Sequence, residues 1–280
     1  MGDLTLEAKL EKMRDILRAL KRVVVAFSAG VDSTFVLKVA VDTLGPENVV
    51  AVTGESSSLA RAEFEQAAQL ARVLGVEHVV ILTGEFEDPN YLANPVNRCY
   101  YCRTKLYSKL EDFIAQHGFN AAVNGINADD YQDWRPGIQA AREHAVRAPC
   151  AEAGMTKQDI RALSAQMGLP TCDKPASPCL ASRVQYGEQI TPEKLQQIER
   201  SEALLHSLGF RECRVRHHHN LARIELRPQD MDRAMQPEIR ARIEAALREY
   251  GYTYVALDLR GFRSGSMNEV VAFGKRQPQI

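Results

Sequence analysis

Residues suited to chemistry are concentrated at a few places in this sequence. Between an apolar run, Val23 to Phe27, and an apolar-periodic run, Phe35 to Val41, stands the turn Ser28-Ala29-Gly30-Val31-Asp32-Ser33-Thr34. Small residues let backbone N–H groups come close to an anion, and a helix start favours negative charge there. The guest predicted for Ser28, Gly30, Asp32 and Ser33 is a phosphate or pyrophosphate. An ordinary strand-to-helix connection with a Ser/Asp cap is the bland alternative. Further on, Cys99-Tyr100-Tyr101-Cys102 forms a C-x2-C pair, and Cys179 sits beside Ser182 and Arg183 in Ser177-Pro178-Cys179-Leu180-Ala181-Ser182-Arg183. A pair of this kind serves as a redox dithiol, as half of a zinc site, as cluster ligands or as two inert thiols. Arg183 next to Cys179 would favour its thiolate, the form in which sulfur is a nucleophile.

Two more groups carry polar chemistry. Asn124-Gly125-Ile126-Asn127-Ala128-Asp129-Asp130 and Asp133-Trp134-Arg135-Pro136-Gly137 follow one another closely. Arg211, Arg214, Arg216, His217-His218-His219, Arg223 and Arg227 crowd two adjacent strand candidates. Strand alternation puts Arg214 and Arg216 on one face, suited to a phosphate, whereas three successive histidines cannot all ligate one ion. Glu202 and Glu225 are candidate partners for Mg2+ or for Arg214 and Arg216, with a solvated-face reading equally open. Cys150, Cys172 and Cys213 lack comparable spacing and read as packing residues.

These residues must be held by elements that the hydrophobic pattern defines. Leu6, Leu10, Met13, Ile16, Leu17 and Leu20 recur at helical spacing, so the chain opens with an amphipathic helix, charge-studded and unlike a signal peptide. Strand candidates Val23–Phe27, Val49–Thr53, His78–Leu82 and Ala121–Asn124 then alternate with helices over 33–43, 59–74 and 103–117. That alternation predicts an α/β fold, a parallel sheet with helices on both faces, whose ligands sit at the carboxyl ends of the strands. The irregular stretches 83–98 and 168–187 are long enough to carry function. Beyond Gly187 a helix from Thr191 to about Leu208, strands near 211–217 and 221–227, a helix over 229–250 and a strand at 252–257 predict a small α+β unit. The expected division is 1–185 for the nucleotide-type domain and 186–280 for a C-terminal α+β domain of substrate binding or oligomerisation.

With 35 basic and 36 acidic residues the net charge is −1. Such a balance gives no field for generic binding of nucleic acid or an anionic membrane, although the last hundred residues lean basic and the rest acidic. No apolar run approaches the length of a membrane span. A cytoplasmic location is expected, where the six cysteines are thiols, ligands or reactive groups and not disulfides.

Ser-x-Gly-x-Asp-Ser after a strand resembles the pyrophosphatase loop of the PP-loop superfamily, and no Gly-Lys-[Ser/Thr] is present to suggest the other phosphate loop. The superfamily pattern has Gly where Ala29 stands, so Ala29 is expected to keep a negative φ. With the 124–130, 133–137 and 177–183 segments and Gly187-Glu188-Gln189-Ile190-Thr191, the chain resembles the LarE-like ATP-dependent sulfur transferases from Ser28 to about Asp258. The resemblance implies adenylation, with Mg-ATP, of the carboxylates of pyridinium-3,5-biscarboxylic acid mononucleotide and their conversion to thiocarboxylates for the nickel-pincer cofactor of lactate racemase. It places pyrophosphate and Mg2+ at Ser28, Gly30, Asp32 and Ser33, the nucleoside near Ala26 and Thr53, and adenylation at Gly125, Asn127, Asp129, Asp130 and Arg135. Cys179 matches the sulfur-bearing position.

Members that sacrifice this cysteine, leaving dehydroalanine, keep only the last of the three. This sequence has all of them, which implies a [4Fe–4S] cluster on Cys99, Cys102 and Cys179 with one iron open to sulfide from an outside source. Relatives resemble trimers of dimers, implying a homo-oligomer, a hexamer at the largest. Two other functions fit parts of the pattern: tRNA thiolation, which also joins a PP-loop to C-x2-C and a third cysteine but lacks a basic RNA-binding domain here, and a nucleotide-binding module without catalysis.

Overall fold

The computed structural model describes residues 4–132 and 135–263. The chain divides into two units. The first comprises residues 4–88 and 97–177; the second comprises 178–263 together with the short excursion Pro89–Val96, which holds helix α4 (Pro89–Leu92).

In the first unit α1 (Leu6–Leu20) starts at Thr5, whose hydroxyl accepts from the Ala8 amide at 3.2 Å. β1 (Val23–Ala26), α2 (Val31–Leu44), β2 (Val49–Glu55), α3 (Arg61–Val73), β3 (Glu77–Leu82), α5 (Arg98–His117) and β4 (Ala121–Val123) follow. Then come α6 (Pro136–Glu143), α7 (Pro149–Glu152) and α8 (Lys157–Gln166), the last started by a reciprocal Thr156/Asp159 capping box. The strands form one parallel sheet in the order β3-β2-β1-β4, with Val23 opposite Val49 and Ala121. Alternation along β1 and β2 fills both faces. Val23, Val25, Val49 and Ala51 pack with α1 and α2 residues such as Met13, Leu17 and Phe35, whereas Val24, Ala26, Val50 and Val52 pack with Tyr107 and Leu110 of α5. Strands buried on both faces are the near-continuous Val/Ala runs that a covered parallel sheet requires.

The expected elements agree with the periodicity to within a few residues except at two places, and α4, α6, α7 and α8 stand where no helix is expected. α5 begins at Arg98 and not near 103, so Cys99 and Cys102 lie within its opening residues. The 229–250 segment is two helices, α10 (Met231–Ala234) and α11 (Pro237–Glu249). Pro237 has no N–H to continue a helix and is suited to starting the next.

In the second unit α9 (Pro192–Ser207) starts at Thr191, and β5 (Cys213–His218) and β6 (Leu221–Leu226) form an antiparallel pair extended in parallel by β7 (Tyr254–Leu257). Leu205, Phe210, Val215, Ile224 and Leu247 make its core.

Candidate active site

The first unit gathers polar residues at the carboxyl edge of its sheet, where β1 passes into α2. Gly30 is the N-cap of α2, and no side chain caps the helix. Its first amides therefore lack intrahelical partners and stand ready for an anion. The two serines brace the turn: Ser28 and Ser33 Oγ atoms lie 3.1 Å apart, and the Ser28 amide donates to Ser33 Oγ at 3.3 Å. Gly30 has φ −80°, and a Cβ built on it would meet only Ser28 Oγ, at 3.5 Å. Neither backbone nor packing demands glycine there; open space over the amides does. Gly125 differs. Its Cβ would stand 2.8 Å from the Ser33 amide nitrogen and 2.9 Å from Asp32 Cβ, so the segment after β4 packs directly against the start of α2.

Ala29 has φ +54° and is fully buried. The negative φ expected for it is overturned: the turn keeps the left-handed conformation that glycine adopts freely, at a cost to alanine of roughly 1–2 kcal/mol. The surrounding contacts hold it there.

Asp32 carries the main electrostatic feature. Its Oδ2 accepts from Lys157 Nζ at 2.5 Å, while its Oδ1 is buried with no hydrogen-bond partner. A buried carboxylate oxygen left so is costly unless a cation takes it, and a hard oxygen donor beside a phosphate cradle fits Mg2+. Lys157 also ties in the 124–130 segment, since its amide donates to Asp129 Oδ2 at 2.8 Å. There Asn127 Oδ1 accepts from the Asp129 and Asp130 amides at 3.0 and 3.3 Å, and Asp130 Oδ2 accepts from the Asn127 amide at 3.0 Å. Arg135 pairs with Asp130 at 2.7 Å. Thr53, within β2, donates to the Phe27 carbonyl at 2.9 Å, leaving its oxygen to accept from His78 Nε2 at 2.8 Å. Burial holds His78 below its ordinary pKa, in keeping with a neutral ring donating from Nε2. Ala26 is the last residue of β1. Gly137 abuts the start of α5, for a Cβ on it would lie 3.1 Å from Arg103 Cγ and 3.8 Å from the Cys99 carbonyl. Asp133 and Trp134 lie outside the described residues. Cys99 is exposed and Cys102 partly so, three residues apart on one helix face.

The second unit organises Cys179 and the arginines. Cys179, partly exposed, is the N-cap of a 3-10 turn, Leu180–Arg183. The guanidinium of Arg183 grips this turn from inside, donating to the Cys179 carbonyl and to Ser182 Oγ, each at 3.0 Å, and to the Pro178 carbonyl. On its other edge Glu202 of α9 accepts from Arg183 Nε and Nη2 at 3.0 and 2.9 Å, and also from the Val215 amide at 3.0 Å. Both side chains are buried. Arg183 therefore positions the Cys179 backbone, with its charge matched by Glu202. Glu225, fully buried, pairs with Arg216 at 2.8 Å and with Arg223 at 2.9 Å. Both glutamates thus have arginine partners, and among the described residues no three of His, Cys, Asp or Glu form a metal-holding group. Arg216 also donates to the Ser182 carbonyl at 3.2 Å. Arg214 is buried, with its guanidinium 5.1 Å from the Phe262 ring centroid. Burial and the nearby Arg183 and Arg216 push its pKa down, the mark of crowded cations that an anion would relieve.

The family described as NAD synthase matches residues 5–86. An uncharacterised protein of Synechocystis sp. is 46% identical over 266 residues, covering 95% of this chain and 99% of that one. The pyridinium-3,5-bisthiocarboxylic acid mononucleotide synthase of Lactiplantibacillus plantarum is 38% identical over 275 residues, 95% of this chain and 96% of that one. The chain belongs to the LarE-like family. A glutamine-dependent NAD(+) synthetase of Aquifex aeolicus is 42% identical, but over 41% of this chain and 18% of its own length. The NAD synthase match, residues 5–86, falls within the first unit.

Two residues of this LarE-like site were not singled out by the sequence. Lys157 follows Thr156 at a helix start, a signal for a cap that says nothing of Asp32. Lys174 lies in the 168–187 stretch, and its Nζ reaches the Ala29 carbonyl at 3.1 Å. Of the cysteines read as packing residues, Cys150 and Cys213 are buried. Burial pushes the Cys213 thiol up to about 12 and the Cys150 thiol well up too, so neither supplies a thiolate.

Proposed function

We propose that this chain is an ATP-dependent sulfur transferase that adenylates the carboxylates of pyridinium-3,5-biscarboxylic acid mononucleotide and converts them to thiocarboxylates. The observation that carries the reading is the partnerless buried oxygen of Asp32 beside an uncapped helix start, in a chain alike over nearly its whole length to a synthase of that product. A carboxylate is a poor acyl donor because oxide would have to leave. Its attack on the α-phosphorus of ATP releases pyrophosphate and makes AMP the leaving group. Amides of the Ser28–Ser33 turn bind the departing pyrophosphate, Asp32 holds Mg2+, Ala26 and Thr53 flank the nucleoside, and Gly125, Asn127, Asp129 and Arg135 line the acyl side. Arg214 and Arg216 hold the mononucleotide phosphate, for which crowded guanidinium groups are suited.

Sulfur reaches the acyl carbon by way of Cys179 and displaces AMP there, with Ser182 and Arg183 fixing the Cys179 turn. Cys99 and Cys102 fit two adjacent ligands of one cluster by sharing a helical face. With Cys179 they would hold a [4Fe–4S] group, which when bound would carry sulfide from an outside donor. We place the enzyme in the cytoplasm as a homo-oligomer, a hexamer at the largest.

The test is Cys179→Ala. Pyrophosphate release with substrate and Mg-ATP is expected to persist while thiocarboxylate is lost. Unchanged product would remove Cys179 from the mechanism. Anaerobic purification should yield about four iron and four labile sulfide per chain, lost in Cys99→Ala; little iron in both would return Cys179 to the sacrificial role.

A further inference from the structure

The left-handed Ala29 lies where the chain must present amides to an anion, and one side chain from a distant segment holds its carbonyl. Lys174 Nζ donates to the Ala29 carbonyl at 3.1 Å, to Glu63 Oε2 at 2.6 Å and to Gln66 Oε1 at 2.5 Å. All three ammonium protons are therefore committed, and the side chain is 13% exposed. The acceptors on α3 are one helical turn apart, so they fix Nζ in place. The Lys174 backbone is fixed in turn: Arg161 of α8 donates to the Cys172 carbonyl at 2.5 Å and to the Lys174 carbonyl at 3.0 Å, and the Lys174 amide closes a turn onto the Thr171 carbonyl at 3.0 Å. Nothing in this arrangement is needed for the core, which lies among apolar side chains of the sheet and helices.

Its consequence follows from peptide geometry. In a trans peptide the C=O of one residue and the N–H of the next point in opposite directions. No cis bond occurs among the described residues. Pinning the Ala29 carbonyl to Lys174 therefore turns the Gly30 N–H to the opposite side, away from Lys174. A glycine at 29 would adopt this conformation unaided; alanine resists it.

We propose that Lys174 is a positioning residue for the pyrophosphate loop. It acts through the Ala29 carbonyl to hold the Ala29–Gly30 peptide in the orientation that presents the Gly30 amide to phosphate, without itself touching nucleotide. The proposal rests on the reading of this loop as the ATP site.

The experiment is a double-mutant cycle of Lys174→Met and Ala29→Gly in the full chain, read by calorimetric titration with Mg2+ and a non-hydrolysable ATP analogue. Lys174→Met in the parent background should weaken binding at least tenfold, and hydrogen exchange should rise in the peptide over residues 26–35. In the Ala29→Gly background, where the left-handed turn needs no support, the loss should shrink to threefold or less. Equal losses in both backgrounds would mean that Lys174 binds the nucleotide directly, and no loss in either would mean that it is a surface tie; both overturn the proposal. Glu63→Gln, which keeps an acceptor but removes the charge that anchors Nζ, should give a smaller loss with the same dependence on residue 29, and serves if Lys174→Met does not fold. Failure of the parent itself to bind the analogue would overturn the reading of the loop, and the proposal with it; a parent that binds beside indifferent variants overturns the proposal alone.

Discussion

Two glycines of the site, Gly30 and Gly125, should respond oppositely to the same added methyl group. At Gly30 the backbone (φ −80°, ψ 170°) is one that alanine adopts, and the new Cβ would touch only Ser28 Oγ at 3.5 Å. Alanine is a poorer N-cap than glycine by up to about 1 kcal/mol, but it stiffens the unfolded chain by a similar amount, so stability should change by less than about 0.5 kcal/mol. The methyl would, however, project over amides meant for phosphate. Losing two charge-assisted hydrogen bonds of about 1.5–3 kcal/mol each predicts at least a hundredfold weaker binding of an ATP analogue with Mg2+, at roughly 1.4 kcal/mol per tenfold.

At Gly125 the Cβ would lie 2.8 Å from the Ser33 amide nitrogen and 3.0 Å from the Asp32 carbonyl carbon, both backbone atoms that cannot swing aside. Relief requires α2 or the 124–130 segment to shift, at about 1–3 kcal/mol. A domain of this size loses about 2–4 °C of melting temperature per kcal/mol. Gly125→Ala should therefore melt several degrees lower, whereas Gly30→Ala should melt like the parent and fail to bind. Thermal melts beside calorimetric titration decide the matter, and Gly30→Ala with parental affinity would refute the assignment of the anion site.

Two further predictions concern the second unit. Glu202→Gln leaves the buried Arg183 without its counter-charge and should cost about 3–5 kcal/mol in chemical denaturation, much of it recovered when Arg183→Met is added; a single variant as stable as the parent would show that the pair does not hold the Cys179 turn. Acid should destabilise this unit as the pH falls below about 6.5. Burial lowers the pKa of His217, and burial and Arg223 lower that of His218, so the unfolded chain takes up protons near the ordinary imidazole value of about 6.5 that the folded one refuses. The loss deepens until the folded pKa values are reached, and melting curves from pH 7.5 to 5 should flatten in His217→Gln.

How far such a site can be read from sequence depends on whether a feature is written locally. The sheet was legible because Val23–Ala26 and Val49–Val52 are buried on both faces, and the loop because a phosphate cradle needs small residues at fixed spacing. The start of α5 before Cys99 and Cys102 is not legible, because Asn94, Pro95 and Asn97 resemble turn residues and the helix starts without a side-chain cap. The conformation of Ala29 ran against its own residue type. What overrides it is Lys174, 145 positions away, and no propensity carries such a contact.

The same distinction separates two roles for charge in this chain. Arg183 beside Cys179 suggests, in sequence, a cation that lowers a thiol pKa. In the fold Glu202 takes that charge and the guanidinium's remaining donors go to the backbone carbonyls of Pro178 and Cys179 and to Ser182. Lys174 is spent likewise on Glu63, Gln66 and one carbonyl of the loop. In both cases a cation shielded from solvent, with a matched carboxylate, holds the backbone beside a candidate site residue, and because its charge is already compensated, it can do so without binding an anion itself. Asp32 is the reverse: with one oxygen on Lys157 and the other partnerless, it has capacity to spare. A site assigned by residue type alone would give all three a charge to offer; their partners leave only Asp32 with an oxygen to spare.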